Sequence, residues 1–433
     1  MLMTVLGIVI FFVGILISIA WHELGHFVTA RWFGIKVPEF FVGFGRTVWS
    51  RKVGETEYGI KAIPMGGYVR MIGMIPPAKG GGNLGRSRRT GPFQGLMDDA
   101  RQQSAMDVLP QDVDRQFWMR SPWKRIVVMF GGPFMNLILA IGLFAVVLMG
   151  IGVQQEGTQV RSVSACVLPA SAPVDATCTP GAAPTPAAEA GFRAGDRIVA
   201  LNGQSFGPND GRALREAIRV ASGPTLVTVE RDGRRLDLPT TVIENQVQDF
   251  NDPKATVPAG FLGVGLLPGD YVRQDAGAVV DEMGAIISRT GRAIIELPSR
   301  VPALFGAAFM GEERDEDGPV GIVGASRLGG EILAQEAPLR AELSFFLTLL
   351  AAVNISLFLF NLLPIPPLDG GQIFPAIWES IKRHSYRLMG RPDPGPVDVA
   401  KLLPVAMVVA MIFIAWSGML LVADLFNPIR FFG

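Results

Sequence analysis

The chain has 433 residues, 49% hydrophobic and only 18% charged, with 39 Lys plus Arg against 39 Asp plus Glu. A mean hydropathy of +0.34 excludes an ordinary soluble protein, and the balanced charge points to no nucleic-acid partner. The apolar excess is gathered in four blocks, Leu2–Ala20, Ile126–Gly152, Leu343–Leu363 and Leu402–Phe426, each long enough at about 1.5 Å per residue to cross a hydrocarbon core of about 30 Å.

Residues 1–32 are predicted as the first transmembrane helix. The block lacks a basic n-region and a small-residue cleavage site, so it is expected to be retained. It ends in "WHELGH". His22 and His26 stand at i and i+4 and share a helix face, so both can offer an imidazole nitrogen to one metal, with Glu23 beside a water on that metal. Zinc brings such a water to a pKa of about 7, and a neighbouring carboxylate can take its proton. The alternative is two buried, hydrogen-bonded histidines, which leaves unexplained a glutamate at a depth where ionisable groups are costly. Residues 33–75 read as short strands around Tyr58, Ile60 and Ala62 with a Gly66–Gly67 turn, forming a small sheet of their own or one that dips against the membrane. Residues 76–123 turn to Gly, Ser, Arg, Gln and Asp, the composition of a flexible insertion, and end with Trp118 and Trp123 as interfacial anchors. The second transmembrane helix is placed at 124–152.

Residues 153–250 begin with a Pro/Ala/Thr-rich stretch and then become globular between Gly157 and Glu244. A Gly–Asp turn precedes a strand at Arg197–Leu201 closed by "NG", helical spacing covers Arg212–Ser222, and "DG" joins Leu226–Arg231 to Arg235–Leu238 in a hairpin. The only cysteines, Cys166 and Cys178, fall in this region. They could pair if it lies outside the cell, or stay as two thiols. Residues 251–342 are read as a linker with an amphipathic helix at Ala276–Leu304 lying on the outer leaflet. The third transmembrane segment, 343–370, ends in "NLLPIPPLDGGQ". A polar loop, 371–401, and a fourth transmembrane helix, 402–427, complete the chain.

No Lys or Arg precedes Arg31, whereas residues 31–125 hold 16. By the positive-inside rule that segment is cytoplasmic. Four crossings then put both termini and residues 153–342 outside, and 364–401 inside. His22, His26 and Asp369 arrive at the same, cytoplasmic, side. Asp369 is thereby the candidate third ligand, a lone carboxylate in an apolar, Pro-rich stretch; read alone, "PIPPLDGG" is a turn capping a helix. His384 is a poor candidate because it sits among Lys382 and Arg383. Asn136 and Asn361 are amides in apolar helices, with helix–helix hydrogen bonding as their ordinary role.

"HELGH", "GGPFMN" and "NLLPIPPLDGG", in that order, resemble the site-2 protease family of intramembrane zinc metalloproteases. "GFGRTVWS", "IPMGGYVRM" and "GPVGIVGAS" resemble its bacterial branch, and residues 157–244 look like its single PDZ domain. The likeness covers most of the chain outside the insertion. It implies zinc on His22, His26 and Asp369, Glu23 as general base, Asn361 holding the substrate backbone or oxyanion, and residues 58–70, with Tyr58, Ile60, Gly66 and Gly67, receiving an unwound substrate strand. Gln372 departs from the histidine common after the double glycine of that branch, which leaves the ligand set intact.

The expected fold is therefore an α-helical polytopic membrane protein with four transmembrane helices, a membrane-associated β-element and an extracytoplasmic α+β PDZ-like domain. The expected function is a Zn2+ endopeptidase of the bacterial plasma membrane that cleaves single-span transmembrane proteins, such as anti-sigma factors or remnant signal peptides, in regulated intramembrane proteolysis. Its partners would be those substrates, an upstream site-1-type protease and membrane lipid, with no nucleic acid. The PDZ-like domain would bind a newly exposed C-terminus or filter by size. The rival reading is a non-proteolytic PDZ scaffold with a structural metal, for which Glu23 beside an open coordination position has no use. A transporter is disfavoured by the absence of an inverted repeat.

Overall fold

The computed structural model describes residues 2–77, 94–168, 178, 181–248, 255–315, 318–334 and 338–429. In chain order they form α1 (Leu2–Trp32), β1 (Glu39–Val53), β2 (Thr56–Arg70), α2 (Gln94–Met106), α3 (Pro122–Ala145), β3 (Val153–Val163), α4 (Pro186–Glu189), β4 (Arg197–Leu201), β5 (Gln204–Ser205), α5 (Gly211–Val220), β6 (Gly223–Arg231), β7 (Arg234–Gln248), β8 (Thr256–Phe261), β9 (Val264–Val272), α6 (Ala276–Phe305), α7 (Ile322–Ala334), α8 (Leu339–Asn361), α9 (Gly370–Leu388) and α10 (Leu403–Phe426). They fall into two units, one of residues 1–147 and 276–433, the other Leu148–Asp275.

In the first unit α1 is the central helix. It stops at Gly34, whose positive φ of 72° lets the Gly34 N–H reach Arg31 O and the Ile35 N–H reach Ala30 O, a Schellman ending. α3 packs antiparallel to it: the Trp21 indole donates to Met135 O at 2.9 Å, and a Cβ on Gly25 or Gly131 would run into the backbone of the other helix. α8 packs parallel, with Phe346 against Phe11, Leu350 beside Gly14 and the Asn354 amide donating to Ser18 Oγ. Small residues and buried amides set such contacts because lipid removes the hydrophobic drive between helices.

Among the described residues five helices, not four, are long and apolar enough to span a membrane: Val5–Trp32, Pro122–Ile151, Ala276–Met310, Leu339–Asn361 and Val399–Phe426. The additional one is the segment expected on the outer leaflet; a π turn, Gly306–Met310, continues α6 past the predicted end at Leu304. Its far end is held at the C-terminus of α10, where Leu304 packs on Leu420 and Ala423 and Asn427 Nδ2 donates to Ala307 O. The "GPVGIVGAS" segment opens α7, whose start is pinned by Asp424: this buried carboxylate accepts from the Gly321 and Gly324 N–H groups and pairs with Arg314 at 2.8 Å.

The β-element differs from the short strands with a Gly66–Gly67 turn that the sequence predicts, since both glycines lie within β2. β1 and β2 pair antiparallel, yet Phe40 stands opposite both Tyr58 and Val69, and Phe41 opposite both Gly59 and Tyr68. β2 thus covers both sides of the start of β1, while Gly59 and Tyr58 also face Ser50 and Arg51. The segment around Tyr58 and Ile60 has neighbours on both sides, and the two edges are formed by 49–53 and by 67–70.

Two further stretches are more ordered than their composition predicts. Within the expected flexible insertion, residues 78–93 lie outside the described residues, but 94–106 are helical and Arg101 joins Asp398 at 2.7 Å. A 3-10 turn at Pro110–Arg115 inserts Asp112 against Lys36 and Arg115 against Glu55, at 2.5 and 2.6 Å. The loop expected at 371–401 carries α9.

The second unit is a seven-stranded sheet in the order β8-β7-β6-β4-β3-β9, with β5 on β4. β8 and β9 were expected in the linker. Val160, Ile198, Leu214, Ile218, Val227, Val229 and Leu262 form its core, with α5 covering one face. The "NG" and "DG" turns take positive φ at both residues of each pair, as two-residue hairpins require. Asp196, buried in the Gly–Asp turn, accepts from Arg193 N–H and from Arg231 Nε at 2.8 and 2.7 Å. Cys166 and Cys178 are disulfide-bonded, with Cα atoms 5.9 Å apart. The unit's two ends meet, as the Gln274 N–H donates to Leu148 O at 2.9 Å.

The ties of the 3-10 turn carry a pH signature. The hydrogen bond from Lys36 holds the Asp112 carboxyl below its ordinary value, and that from Arg115 does the same for Glu55. Lowered folded pKa values stabilise above the unfolded values and the contribution is lost as pH falls through the folded ones. Hydrogen-exchange protection factors at residues 36–57, corrected for the intrinsic pH dependence of exchange, should therefore hold from neutral pH to about 5 and fall in more acidic solution. In Asp112→Asn exchange should be fast at neutral pH and change less with acidification.

Candidate metal centre

Helical spacing puts His22 and His26 on one face of α1, one turn apart, with ring centroids 4.9 Å from each other. The third group comes from the far end of the sequence. α8 ends at Asn361, the Pro-rich stretch turns the chain, and Asp369 occupies the N-cap position of α9. An aspartate there ordinarily accepts from the helix's own N–H groups. Asp369 makes no such cap. Its Oδ2 lies 3.2 Å from His22 Nε2 and its Oδ1 3.3 Å from His26 Nε2, while the two Nε2 atoms are 3.2 Å apart. Both histidines are buried.

These separations match a metal site. Donors about 2.0–2.1 Å from a tetrahedral ion stand about 3.3–3.4 Å from one another, the edge of that tetrahedron. The other ring nitrogens are already engaged. His26 Nδ1 lies 2.8 Å from Val128 O, to which it donates. This fixes the tautomer and leaves Nε2 with its lone pair inward. His22 Nδ1 faces the amide of Asn136, 3.1 Å from Nδ2, and Asn136 Oδ1 is buried without a hydrogen-bond partner. Exchanging the two nearly isoelectronic ends of the amide lets Oδ1 accept from His22 Nδ1–H and removes the orphan. Asp369 Oδ2 is likewise buried without a hydrogen-bond partner. Room is left by Gly132: a Cβ there would meet Nε2 of both histidines. Two imidazole nitrogens and one carboxylate, with a fourth position left to water or substrate, form the donor set of a catalytic zinc centre, and His22, His26 and Asp369 are the one such cluster among the described residues.

Glu23 follows His22 and faces the β-element. The Val69 N–H bonds to its carboxylate, and the Cα of Gly67 is so close that a Cβ would stand 3.0 Å from Glu23 Cγ. Of the four residues expected to receive substrate, only Gly67 is therefore at the site. Tyr58 packs into the core against Phe27 and Phe40, Ile60 lies in the doubly paired segment, and Gly66 abuts the Phe44 ring. Asn361 is turned back on its own helix, its Nδ2 donating to Leu357 O at 3.0 Å. Cys166 and Cys178 belong to the other unit.

Sequence reasoning missed three contributors. Asn136 had been assigned to helix–helix bonding, Val128 acts through its backbone, and Gly132 acts by the side chain it lacks. Of these only Asn136, an amide in an apolar helix, left a signal.

A buried site able to hold a divalent ion with one open position, next to the Glu23 carboxyl and a strand edge, is suited to hydrolysing a peptide. The comparisons agree. The Peptidase family M50 profile matches residues 10–390. The zinc metalloprotease Rip1 of Mycolicibacterium smegmatis is 33% identical over 99% of both chains, and the protein of that name from Mycobacterium tuberculosis is 34% identical over the full length of both. The metalloprotease MmpA of Caulobacter vibrioides is 28% identical over 92% of this chain and 91% of its own. With its zinc-binding geometry and full-length relatives, the chain belongs to Peptidase family M50, the site-2 proteases, and is a zinc metalloprotease.

Proposed function

We propose that this protein cuts single-span membrane proteins within the bilayer, with His22, His26 and Asp369 holding the zinc and Glu23 as the base. The observation that carries the reading is the convergence of two imidazole nitrogens and one carboxylate, each nitrogen 3.2–3.3 Å from the other nitrogen and from one carboxylate oxygen, inside apolar helices, with Glu23 next to them. Bound zinc supplies a Lewis acid that makes water a nucleophile near neutral pH and polarises the scissile carbonyl. Glu23 takes the proton from the attacking water and delivers it to the departing amide nitrogen. Asn136 and Val128 O keep both imidazoles in the Nδ1–H tautomer throughout.

A transmembrane helix hides its peptide bonds in its own hydrogen bonds, so the substrate must unwind and find other partners. The edge 67–70 is suited to that role, since it borders Glu23, whereas the 57–60 segment has both sides filled. An extended substrate would pair along this edge by β-augmentation. Asn361 enters the role of holding the substrate only by releasing Leu357 O.

The membrane arrangement rests on helix contacts. α3 runs against α1 and α8 runs with it, so His26 and Asp369 share one end of the bundle. α6 leaves the second unit where α3 enters it and ends beside the C-terminus of α10. Both places are at the opposite end, which favours α6 lying along that surface, with four of the five apolar helices crossing. The 16 basic residues between Arg31 and Arg125 assign the metal end to the cytoplasm. The inserted unit and both termini are then outside, where a disulfide persists. In this reading the inserted unit is PDZ-like and selects substrates by binding a freed C-terminus or by excluding bulk, after an upstream protease has trimmed them. Anti-sigma-factor-like proteins and remnant signal peptides are the substrate classes.

Purified protein tested on a panel of tagged single-span substrates, with zinc quantified, decides the assignment. Wild type should hold one zinc and cleave. Glu23→Gln should hold the same zinc and cleave about 10²–10⁴-fold more slowly; loss of zinc in that variant would make Glu23 a ligand and sink the base assignment. Gly132→Ala should lose zinc as His22→Ala does, because the added methyl takes the space between the two imidazoles. Full zinc occupancy in Gly132→Ala would show that the ion is held elsewhere.

A further inference from the structure

A second buried ionic group lies beyond the metal ligands. Glu379, on α9, is fully buried and its Oε1 sits 2.5 Å from Arg125 on α3 and 2.9 Å from Arg383. Its Oε2 accepts the Val397 N–H at 2.9 Å. Arg125 is itself 95% buried, with a relative exposure of 5%. Taking a carboxylate and a guanidinium out of water is costly, and such a pair contributes less to stability than well-packed apolar side chains often do. A fixed register between two elements is the better-attested use of buried ionic groups.

The elements joined here are those whose register matters for the metal. Asp369 is the residue from which α9 starts, and Glu379 lies ten residues along the same helix, past Pro375, about 15 Å away. Arg125 stands one turn before Val128, whose carbonyl holds His26, and α3 continues through Gly132 to Asn136, which holds His22. One helix therefore touches every ligand-bearing element: α1 through Val128 and Asn136, and α9 through Arg125. Nothing else on α9 offers a charged partner to α3 among the described ion pairs. We propose that the Arg125–Glu379 pair is a positioning device that sets α9, and with it Asp369, at ligating distance from the two histidines. This rests on the assignment of His22, His26 and Asp369 as the ligands.

The test uses the full chain in detergent. Zn2+ affinity is measured by competition with a chelating dye, Co2+ is substituted and its visible absorption recorded, and thermal midpoints are taken for metal-free and loaded protein. Glu379→Gln should bind zinc about 10-fold more weakly, at the low end of what loss of a group bonded to a ligand itself produces, because Glu379 acts only through the helix that carries Asp369, and should change the intensity of the Co2+ bands. Arg125→Lys, which keeps the charge and loses the forked geometry, should fall between this variant and wild type. It carries the same test if Glu379→Gln is not recovered folded. Equal lowering of both thermal midpoints with unchanged zinc affinity and Co2+ spectrum would reduce the pair to a stability element and overturn the proposal. Asp369→Asn separates the two levels. If it retains wild-type zinc affinity, the ligand assignment fails and the proposal with it; if it loses zinc while Glu379→Gln keeps it, the ligands stand and the positioning role alone falls.

Discussion

Two imidazole nitrogens and a carboxylate, all acceptors toward the same point, are held 3.2–3.3 Å apart inside a bundle of apolar helices. With both imidazoles neutral and no cation between them, such an arrangement turns acceptors toward one another and forfeits their hydration. The frame must hold it together before an ion arrives, and much of the membrane unit can be understood as that frame. Each imidazole is gripped from behind at Nδ1, and Asp369 forgoes its helix-capping role to face inward.

The frame is built from close approach and polar ties because the bilayer gives helices little reason to associate. Glycine meets glycine where α1 and α3 touch beside the histidines, so the backbones come near enough for Val128 and Asn136 to reach the rings. Ser18 and Asn354 repeat the device one turn further along α1, tying α8 in parallel. At the other end of the bundle Arg314, Asp424 and the N–H groups of Gly321 and Gly324 fix the start of α7 on α10. Each tie satisfies groups that would otherwise be stranded in an apolar surrounding.

The ligand set was legible in the sequence because helix periodicity is a local rule: His22 and His26 must share a face, and Asp369 is a lone carboxylate where carboxylates are costly. Topology then brought the three to one side. What escaped had no local rule behind it. The doubled pairing of β2 around Phe40 and Phe41 depends on where the strand folds back, and shifting the edge from 58–60 to 67–70 changes which residues face Glu23. Gly132 and Val128 act through an absent methyl and a carbonyl, which composition does not mark. Arg125 reads as one more basic residue of the 31–125 segment and Glu379 as a charge within the 371–401 loop, since burial and partnership are tertiary facts. The Gly/Ser/Arg composition of the insertion also concealed α2, whose order comes from Arg101 reaching Asp398, almost 300 residues away.

The hydrogen bond from Gln274 to Leu148 has an architectural consequence. The inserted unit leaves the membrane chain and returns to it at essentially one point, so the path through the helices is as short as if nothing had been inserted. Helix register, and with it the spacing of the ligands, is thereby insulated from the size and shape of the insert. Such a junction works like a socket: the inserted module can be enlarged or exchanged while the catalytic frame keeps its dimensions.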